Sequence, residues 1–147
     1  MYDCYREGYR LKKNFWIQIL LAISLIGVGL SSYLEYVSSQ PTCPVGFHGC
    51  DIVVTSPYSR IYGVSLSSLG LAWFLILSTL TVIAFYRKGK NTYYIVLGWA
   101  LISIPSVSIL VWMEVVILNA ICIYCTIAHL LGILSIIPAY KLARQIR

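Results

Sequence analysis

The stretch 118–140, LNAICIYCTIAHLLGILSIIPAY, decides the fold because it is apolar along its length and contains no Asp, Glu, Lys or Arg. About 20 such residues in a helix, rising about 1.5 Å each, cross a hydrocarbon core of about 30 Å. The stretch also contains two thiols in the pattern Cys-Ile-Tyr-Cys, followed by a histidine one turn further along. It therefore predicts a membrane-spanning helix with a dithiol at its mouth.

Three further windows of the chain also lack charged residues, in a sequence of 147 residues that is 59% hydrophobic with 11 Lys+Arg and 5 Asp+Glu. Each is long enough to cross a membrane: 14–34, 61–86 and 91–113. We therefore predict an all-α integral membrane protein, a single domain folded as a four-transmembrane-helix bundle. The predicted spans are about 14–36, 65–86, 91–117 and 121–140, with an outer loop at about 37–64.

The basic residues are distributed asymmetrically about the predicted spans. Ten of the eleven lie before the first span, between the second and third, or after the fourth, and only Arg60 lies elsewhere. Because basic residues mark the cytoplasmic side, we predict a multi-pass protein of the cell membrane with both termini inside. The net charge of +6 then reflects topology, and no nucleic-acid partner is expected.

This topology also assigns a compartment to each of the five cysteines. Cys4 is expected to be an incidental cytoplasmic thiol. The other four face the outer compartment, where disulfides persist: Cys43, Cys50, Cys122 and Cys125.

The outer loop combines turn residues with an apolar run. Proline and glycine punctuate the segment around Cys43 and Cys50, whereas the run 50–56, CDIVVTS, is largely apolar and ends before Pro57. We interpret this run as a short helix or extended plug in the membrane interface that caps the open end of the bundle. Ser65 is the expected N-cap of the second span.

The dithiol of the last span has a pattern suited to thiol exchange. On a helix, Cys122 and Cys125 are three residues apart and His129 is four beyond Cys125, so the three share one face. Exposed N–H groups at a helix start favour the thiolate, which is the form that attacks disulfides. Either cysteine alone is more simply an inert packing residue. A second pair on the same side of the membrane favours two exchangeable dithiols in series, which form an electron relay.

The relay requires an electron acceptor, and the sequence contains no haem, flavin or iron–sulfur signature. An acceptor dissolved in the membrane suits a dithiol at the mouth of an apolar bundle. A quinone is therefore the expected cofactor, and membrane lipid is the expected surrounding.

The chain resembles the vitamin K epoxide reductase family of membrane thiol oxidoreductases over nearly its whole length. The resemblance rests on the pair Cys43 and Cys50, on CDIVVTSPYSRIYGVSLSSLG with Ser56 six residues after Cys50, and on CIYC opening the last helix. It implies a four-helix bundle around a quinone of the menaquinone, ubiquinone or vitamin K type. It also implies that the loop pair exchanges with a thioredoxin-like partner and that the helix pair reacts with the quinone.

The same resemblance implies a role for each site residue. Electrons would enter from the partner at Cys43, pass from Cys50 to Cys122, and leave to the quinone from Cys125. Ser56 matches the loop hydroxyl that lies near the active site in the family. His129 is expected to hydrogen-bond a quinone oxygen or to supply its proton. A histidine satisfied inside the bundle is the alternative.

Two other functions stay open at this point. Vertebrate members of the family have a tyrosine and an asparagine where this chain has His129 and Leu66, which disfavours the reduction of vitamin K epoxide in an endoplasmic reticulum. Four outward cysteines and two histidines also suit a thiol-based metal transporter or sensor. Only Cys4 is available on the cytoplasmic side to receive an ion, so no metal site is assigned. Since the chain ends a few residues past the last span, the thioredoxin-like partner is expected to be a separate secreted protein.

Several residues within the spans have simple structural interpretations. Glu35 and Glu114 lie at the outer ends of predicted spans, where interfacial solvation is expected. Pro105 is expected to kink the third span. The first span contains five small residues that let a neighbouring helix approach closely: Ser24, Gly27, Gly29, Ser31 and Ser32.

Overall fold

The computed structural model describes residues 2–38, 56, 59–61, 63–87 and 89–144, with side chains from residue 13 onward except that of Ile61. The helices are α1 (Tyr2–Ser38), α2 (Leu66–Arg87), α3 (Lys90–Leu101), α4 (Ser103–Trp112), α5 (Ile123–Leu134) and α6 (Ile136–Arg144). A π-helical turn, Met113–Ile117, follows α4. Two short antiparallel strands, β1 (Arg60–Ile61) and β2 (Val64–Ser65), form a hairpin that the sequence analysis did not predict. We call the end of the bundle that carries these strands the hairpin end.

Four helical stretches are long and apolar enough to cross a membrane, and we call them the first to fourth spans: Lys13–Ser38, Leu66–Arg87, Lys90–Ile117 and Ile123–Arg144. The prediction of an all-α bundle with four spans is confirmed. No more than 33% of the apolar window in any span is buried inside the protein. Most of the apolar surface therefore faces outward, as expected where lipid covers it.

The third and fourth spans are each interrupted three residues before a proline. Helix α3 gives way to α4 at Ile102, and α5 gives way to α6 at Ser135. Because Pro105 and Pro138 have no backbone N–H, each leaves a gap in the ladder of helical hydrogen bonds, and a helix commonly bends at such a gap. The irregularity expected near Pro105 is thus present. A second irregularity, before Pro138, was not predicted from the sequence.

The main core lies away from the hairpin end. It is formed by buried side chains from all four spans: Ile17, Leu20, Leu77, Ala84, Tyr93, Val96, Ala100, Ala139 and Leu142. A hydrogen bond of 3.2 Å from Ser103 Oγ to the carbonyl oxygen of Gly132 connects the third span to the fourth. A smaller cluster of Leu34, Ala120 and Cys122 packs at the hairpin end. These two clusters hold the four spans around the site described below.

The first and second spans make a close approach at Gly27. A Cβ atom at this position would lie 2.3 Å from ring atoms of Phe74, so the missing side chain makes room for the ring. Ser24 and Ser31 are buried on the same side of α1, at 0% and 3% exposure. Gly29, in contrast, is exposed and has nothing within 4 Å of its position for a Cβ. The prediction therefore holds for Ser24, Gly27 and Ser31, which are buried, and not for Gly29 and Ser32, which are exposed.

Replacing Gly27 with alanine is expected to lower the free energy of unfolding by about 1–3 kcal/mol, because the new methyl group overlaps the Phe74 ring and forces it to move. Gly29→Ala is the matched control. It adds the same methyl group in open space and is expected to stabilise α1 by up to about 1 kcal/mol through helix propensity. Thermal unfolding of both variants in the same detergent measures the difference. A Gly27→Ala protein as stable as Gly29→Ala contradicts the close packing at this position.

Candidate active site

The Cys-Ile-Tyr-Cys motif opens the fourth span, with Cys122 as the N-cap of α5. The backbone of Cys122 is extended, at φ −90° and ψ 113°, and its Sγ accepts a hydrogen bond of 3.2 Å from the backbone N–H of Cys125. Such a bond at a helix start stabilises negative charge on the sulfur. Cys122 is fully buried and Cys125 is half-buried. The predicted position of the pair at a helix start is confirmed.

The turn before Cys122 fixes the start of α5. The π-helical turn Met113–Ile117 ends the third span, and the backbone N–H of Ala120 donates to the carbonyl oxygen of Glu114 at 3.2 Å. Asn119 has φ 47°, in the left-handed region that asparagine tolerates better than most residues. These features reverse the chain direction within a few residues and present the buried Cys122 at the hairpin end.

Glu114 is buried, which corrects the interfacial solvation expected from the sequence. Its side chain is 7% exposed and lies within electrostatic range of the Cys122 thiol. The expectation was wrong because a π-helical turn contains more residues than an α-helical one and changes the directions of its side chains. Glu114 could have been recognised as a functional candidate from the sequence, because acidic residues within apolar spans are often functional.

A cavity of about 220 Å³ lies between the spans at the hairpin end. We call it the large cavity. Cys125 and His129 line it from the fourth span. Its apolar wall is formed mainly by Leu34, Leu69, Trp73, Phe74, Val107 and Leu110. Hydroxyl groups of Ser31, Ser59, Ser65 and Ser67 are also part of the lining. A cavity with apolar walls and a few polar groups is typical of a site for a small organic ligand.

A second cavity of about 60 Å³ shares Cys125 and His129 with the large cavity. We call it the small cavity. Ser56 and Glu114 also line it. The structure therefore brings together three of the predicted site residues, Cys125, His129 and Ser56, around these two adjoining spaces. It adds Glu114, which the sequence analysis did not assign to the site.

His129 has an unsatisfied polar atom beside the large cavity. Its Nδ1 is buried and has no hydrogen-bond partner among the described residues. The Nε1 of Trp73, which lines the same cavity, is likewise buried without a partner in the described part of the chain. A buried polar group left unsatisfied costs about 1–3 kcal/mol. The arrangement therefore favours a ligand contact over the alternative of a histidine satisfied within the bundle.

Glu35 connects the first span to the hairpin beside the large cavity. Ser65 is the N-cap of α2, as predicted, since the backbone N–H of Ser68 donates to its Oγ at 3.0 Å. The hydroxyls of Ser65 and Ser67 donate to the Glu35 carboxylate, and Arg60 lies within its electrostatic range. Glu35 therefore has protein partners in addition to the interfacial solvent that was expected, and these contacts hold the hairpin against the first span.

The loop pair of cysteines, Cys43 and Cys50, lies outside the described residues, as does the segment 51–55 of the predicted plug. The roles of both cysteines and the capping of the bundle by the loop therefore stay predictions. Among the described residues, no three His, Cys, Asp or Glu side chains are grouped as metal ligands.

Comparison with models of known families gives a match to the one described as "Vitamin K epoxide reductase family", over residues 18–140. This range contains Ser56, His129 and four of the five cysteines, Cys43, Cys50, Cys122 and Cys125. A comparison with curated proteins finds no match.

Proposed function

The chain belongs to the vitamin K epoxide reductase family, and we propose that it is a quinone-dependent thiol–disulfide oxidoreductase that supports disulfide bond formation. Family membership supports an oxidoreductase of the thiol–disulfide and quinone kind. The observation that carries the finer proposal is the position of Cys125. It lies next to the helix-capping Cys122 and lines both cavities, so that one thiol of an exchangeable pair borders a ligand-sized space.

The residues of the large cavity fit a quinone ring. Trp73 and Phe74 offer aromatic surface, Leu110 offers aliphatic surface, and the unsatisfied Nδ1 of His129 offers one polar contact for a ring oxygen. Family members generally use quinones as electron acceptors. When bound, a quinone supplies an acceptor for two electrons and two protons.

The two thiols of the fourth span have different roles in this proposal. Cys122 lines neither cavity, and we assign to it the exchange with the incoming thiolate that the family resemblance implies. Cys125 lines the cavity and is the sulfur from which the electron pair leaves. His129, one turn deeper, orients the ring. Ser56 lines the small cavity together with Cys125 and His129.

The loop pair is proposed to supply the electrons. A thiolate of a separate thioredoxin-like protein attacks the Cys43–Cys50 disulfide at Cys43, and the released Cys50 thiolate attacks Cys122, which breaks the Cys122–Cys125 bond and frees the Cys125 thiolate. The partner's second thiol then displaces Cys43, which leaves the partner oxidised, and Cys43 displaces Cys122 from the Cys50–Cys122 bond, which restores the Cys43–Cys50 disulfide and leaves Cys122 and Cys125 reduced. The direction follows from reduction potentials, because about 30 mV corresponds to roughly 1.4 kcal/mol for a two-electron couple and quinones generally lie above protein dithiols.

The proposed location is the cell membrane, with residues 1–147 as one domain, both termini in the cytoplasm and the active-site cysteines outside. The four spans make it a membrane protein. The asymmetric distribution of ten of the eleven basic residues supports the orientation.

Reduction of vitamin K epoxide is not part of the proposal. Leu66 lines the small cavity with an apolar side chain, at a position near which vertebrate family members have an asparagine. An apolar side chain there offers no hydrogen bond to an epoxide oxygen.

We expect the purified protein to reduce a soluble quinone with dithiothreitol as electron donor, and His129→Leu to raise the apparent KM about 2- to 12-fold. This range corresponds to the loss of one hydrogen bond worth about 0.5–1.5 kcal/mol. Anaerobic loss of quinone absorbance measures both effects.

Leu130→Ala is the control, because Leu130 is adjacent in sequence but 53% exposed on the outside of the bundle. It is expected to leave KM unchanged. A wild-type protein that reduces no quinone rejects the proposed function. A His129→Leu protein with unchanged KM rejects only the assigned contact.

A further inference from the structure

Glu114 is a buried carboxylate that the mechanism above does not use. At 7% exposure, it lies in the π-helical turn at the end of the third span. Burying a carboxylate is costly unless its charge is compensated or it carries a proton. The residues around it in the small cavity include no Lys or Arg among those described. A stabilising ion pair with one of these described residues therefore does not account for its position.

The contacts of Glu114 are with the reactive pair. Its carboxylate lies within electrostatic range of the Cys122 thiol and beside the backbone N–H of Cys122. It lines the small cavity together with Cys125 and His129, which are the other titratable side chains of that lining. The π-helical turn that places the carboxylate here is a local distortion of the kind that recurs at functional sites.

Proton transfer is the chemistry that this contact suits. When the Cys122–Cys125 bond forms, the sulfur of Cys122 must lose its proton. Cys122 is 0% exposed, so a base within the protein lies closer to its thiol than bulk water does. A carboxylate beside the thiol is a general base within its immediate surroundings.

We propose that Glu114 is the proton acceptor for Cys122 during oxidation of the Cys122–Cys125 pair, an inference that rests on the proposed function. The S–H bond of Cys122 breaks and its proton passes to the Glu114 carboxylate, while an S–S bond forms between Cys122 and Cys125. The two electrons pass to the membrane quinone, which becomes a quinol on taking up two protons. One of these originates from Cys125 and the other from Cys122 by way of Glu114.

The first measurement is the single-turnover rate of disulfide formation when reduced, full-length protein is mixed with a soluble quinone. Glu114→Gln is expected to lower this rate about 10- to 100-fold and to remove the fall in rate at acidic pH that protonation of Glu114 causes. The glutamine keeps the size of the side chain and an oxygen that can accept hydrogen bonds, and it removes the negative charge. Glu114→Asp keeps the carboxylate and is expected to retain the pH dependence. Val115→Ala, on the exposed side of the same turn, is expected to match the wild type.

The second measurement needs no quinone: it is the alkylation rate of Cys122 by iodoacetamide, followed by mass spectrometry across the pH range. Removing the negative charge of Glu114 favours the Cys122 thiolate, so Glu114→Gln is expected to be alkylated at least as fast as the wild type. Slow disulfide formation together with undiminished alkylation supports proton transfer.

Three results overturn the proposal. They are a Glu114→Gln rate equal to or above that of the wild type, a slower rate with an unchanged pH profile, and a slower rate accompanied by slower alkylation. The last indicates that Glu114 only shapes the turn. If Glu114→Gln does not fold, a Glu114→Asp protein that loses the pH dependence rejects the proposal. A wild-type protein that forms no disulfide with quinone instead rejects the proposed function.

Discussion

Cys125→Ala is expected to lower quinone reduction on the order of 10³-fold or more, whether the electron donor is dithiothreitol or a thioredoxin-like protein. The effect is this large because Cys125 is the proposed exit for the electron pair, and removing the reacting nucleophile of an enzyme has effects of this order or greater. Cys125 is the only one of the two thiols in the fourth span that lines the cavities. Quinone absorbance under anaerobic conditions measures the rate with each donor.

Two further variants, Cys4→Ala and Cys122→Ala, serve as comparisons for Cys125→Ala. Cys4→Ala removes the predicted cytoplasmic thiol and is expected to leave both rates at the wild-type level. Cys122→Ala keeps Cys125 beside the cavity but removes its disulfide partner, and is expected to block sustained turnover. A Cys125→Ala protein that keeps more than about a tenth of wild-type activity with dithiothreitol places the electron exit at another residue.

The elements that the sequence predicted well are those fixed by local chemistry. Charge-free windows predicted four spans because a hydrocarbon core excludes charge over a fixed thickness. Ser65 was recognisable as an N-cap because the hydrogen bond it accepts comes from Ser68, three residues away. The Cys-Ile-Tyr-Cys pair was placed at a helix start for the same kind of reason, since the Cys125 N–H to Cys122 Sγ bond is also local.

The elements that it missed depend on how distant segments pack. Glu114 was expected at the interface because the third span was predicted to be a regular α-helix to its end. The π-helical turn, which the sequence did not predict, instead places its side chain near Cys122. Phe74, which lines the large cavity, packs against Gly27, and no local pattern predicts this contact between two spans. The unsatisfied atoms of His129 and Trp73 could be recognised only when their surroundings were known.

The second large effect is expected at the loop pair and depends on the donor. Cys43→Ala is expected to lower quinone reduction on the order of 10³-fold or more when the donor is a reduced thioredoxin-like protein, because the partner loses the sulfur that it attacks. With dithiothreitol, the same variant is expected to retain at least about half of the wild-type rate. A small dithiol can reach the Cys122–Cys125 disulfide without the loop pair, since Cys125 is partly exposed at the cavities.

The ratio of the two rates tests the order of the relay. Cys50→Ala is expected to show the same dependence on donor, because it breaks the connection between the two pairs while the helix pair stays accessible. Cys125→Ala is expected to lose activity with both donors. If Cys43→Ala and Cys125→Ala lose dithiothreitol-driven activity equally, the pairs do not act in series, because a small dithiol would then need the loop cysteines as much as the protein donor does. If Cys43→Ala keeps full activity with the protein donor, the partner attacks the helix pair directly, and the loop pair has no part in electron transfer.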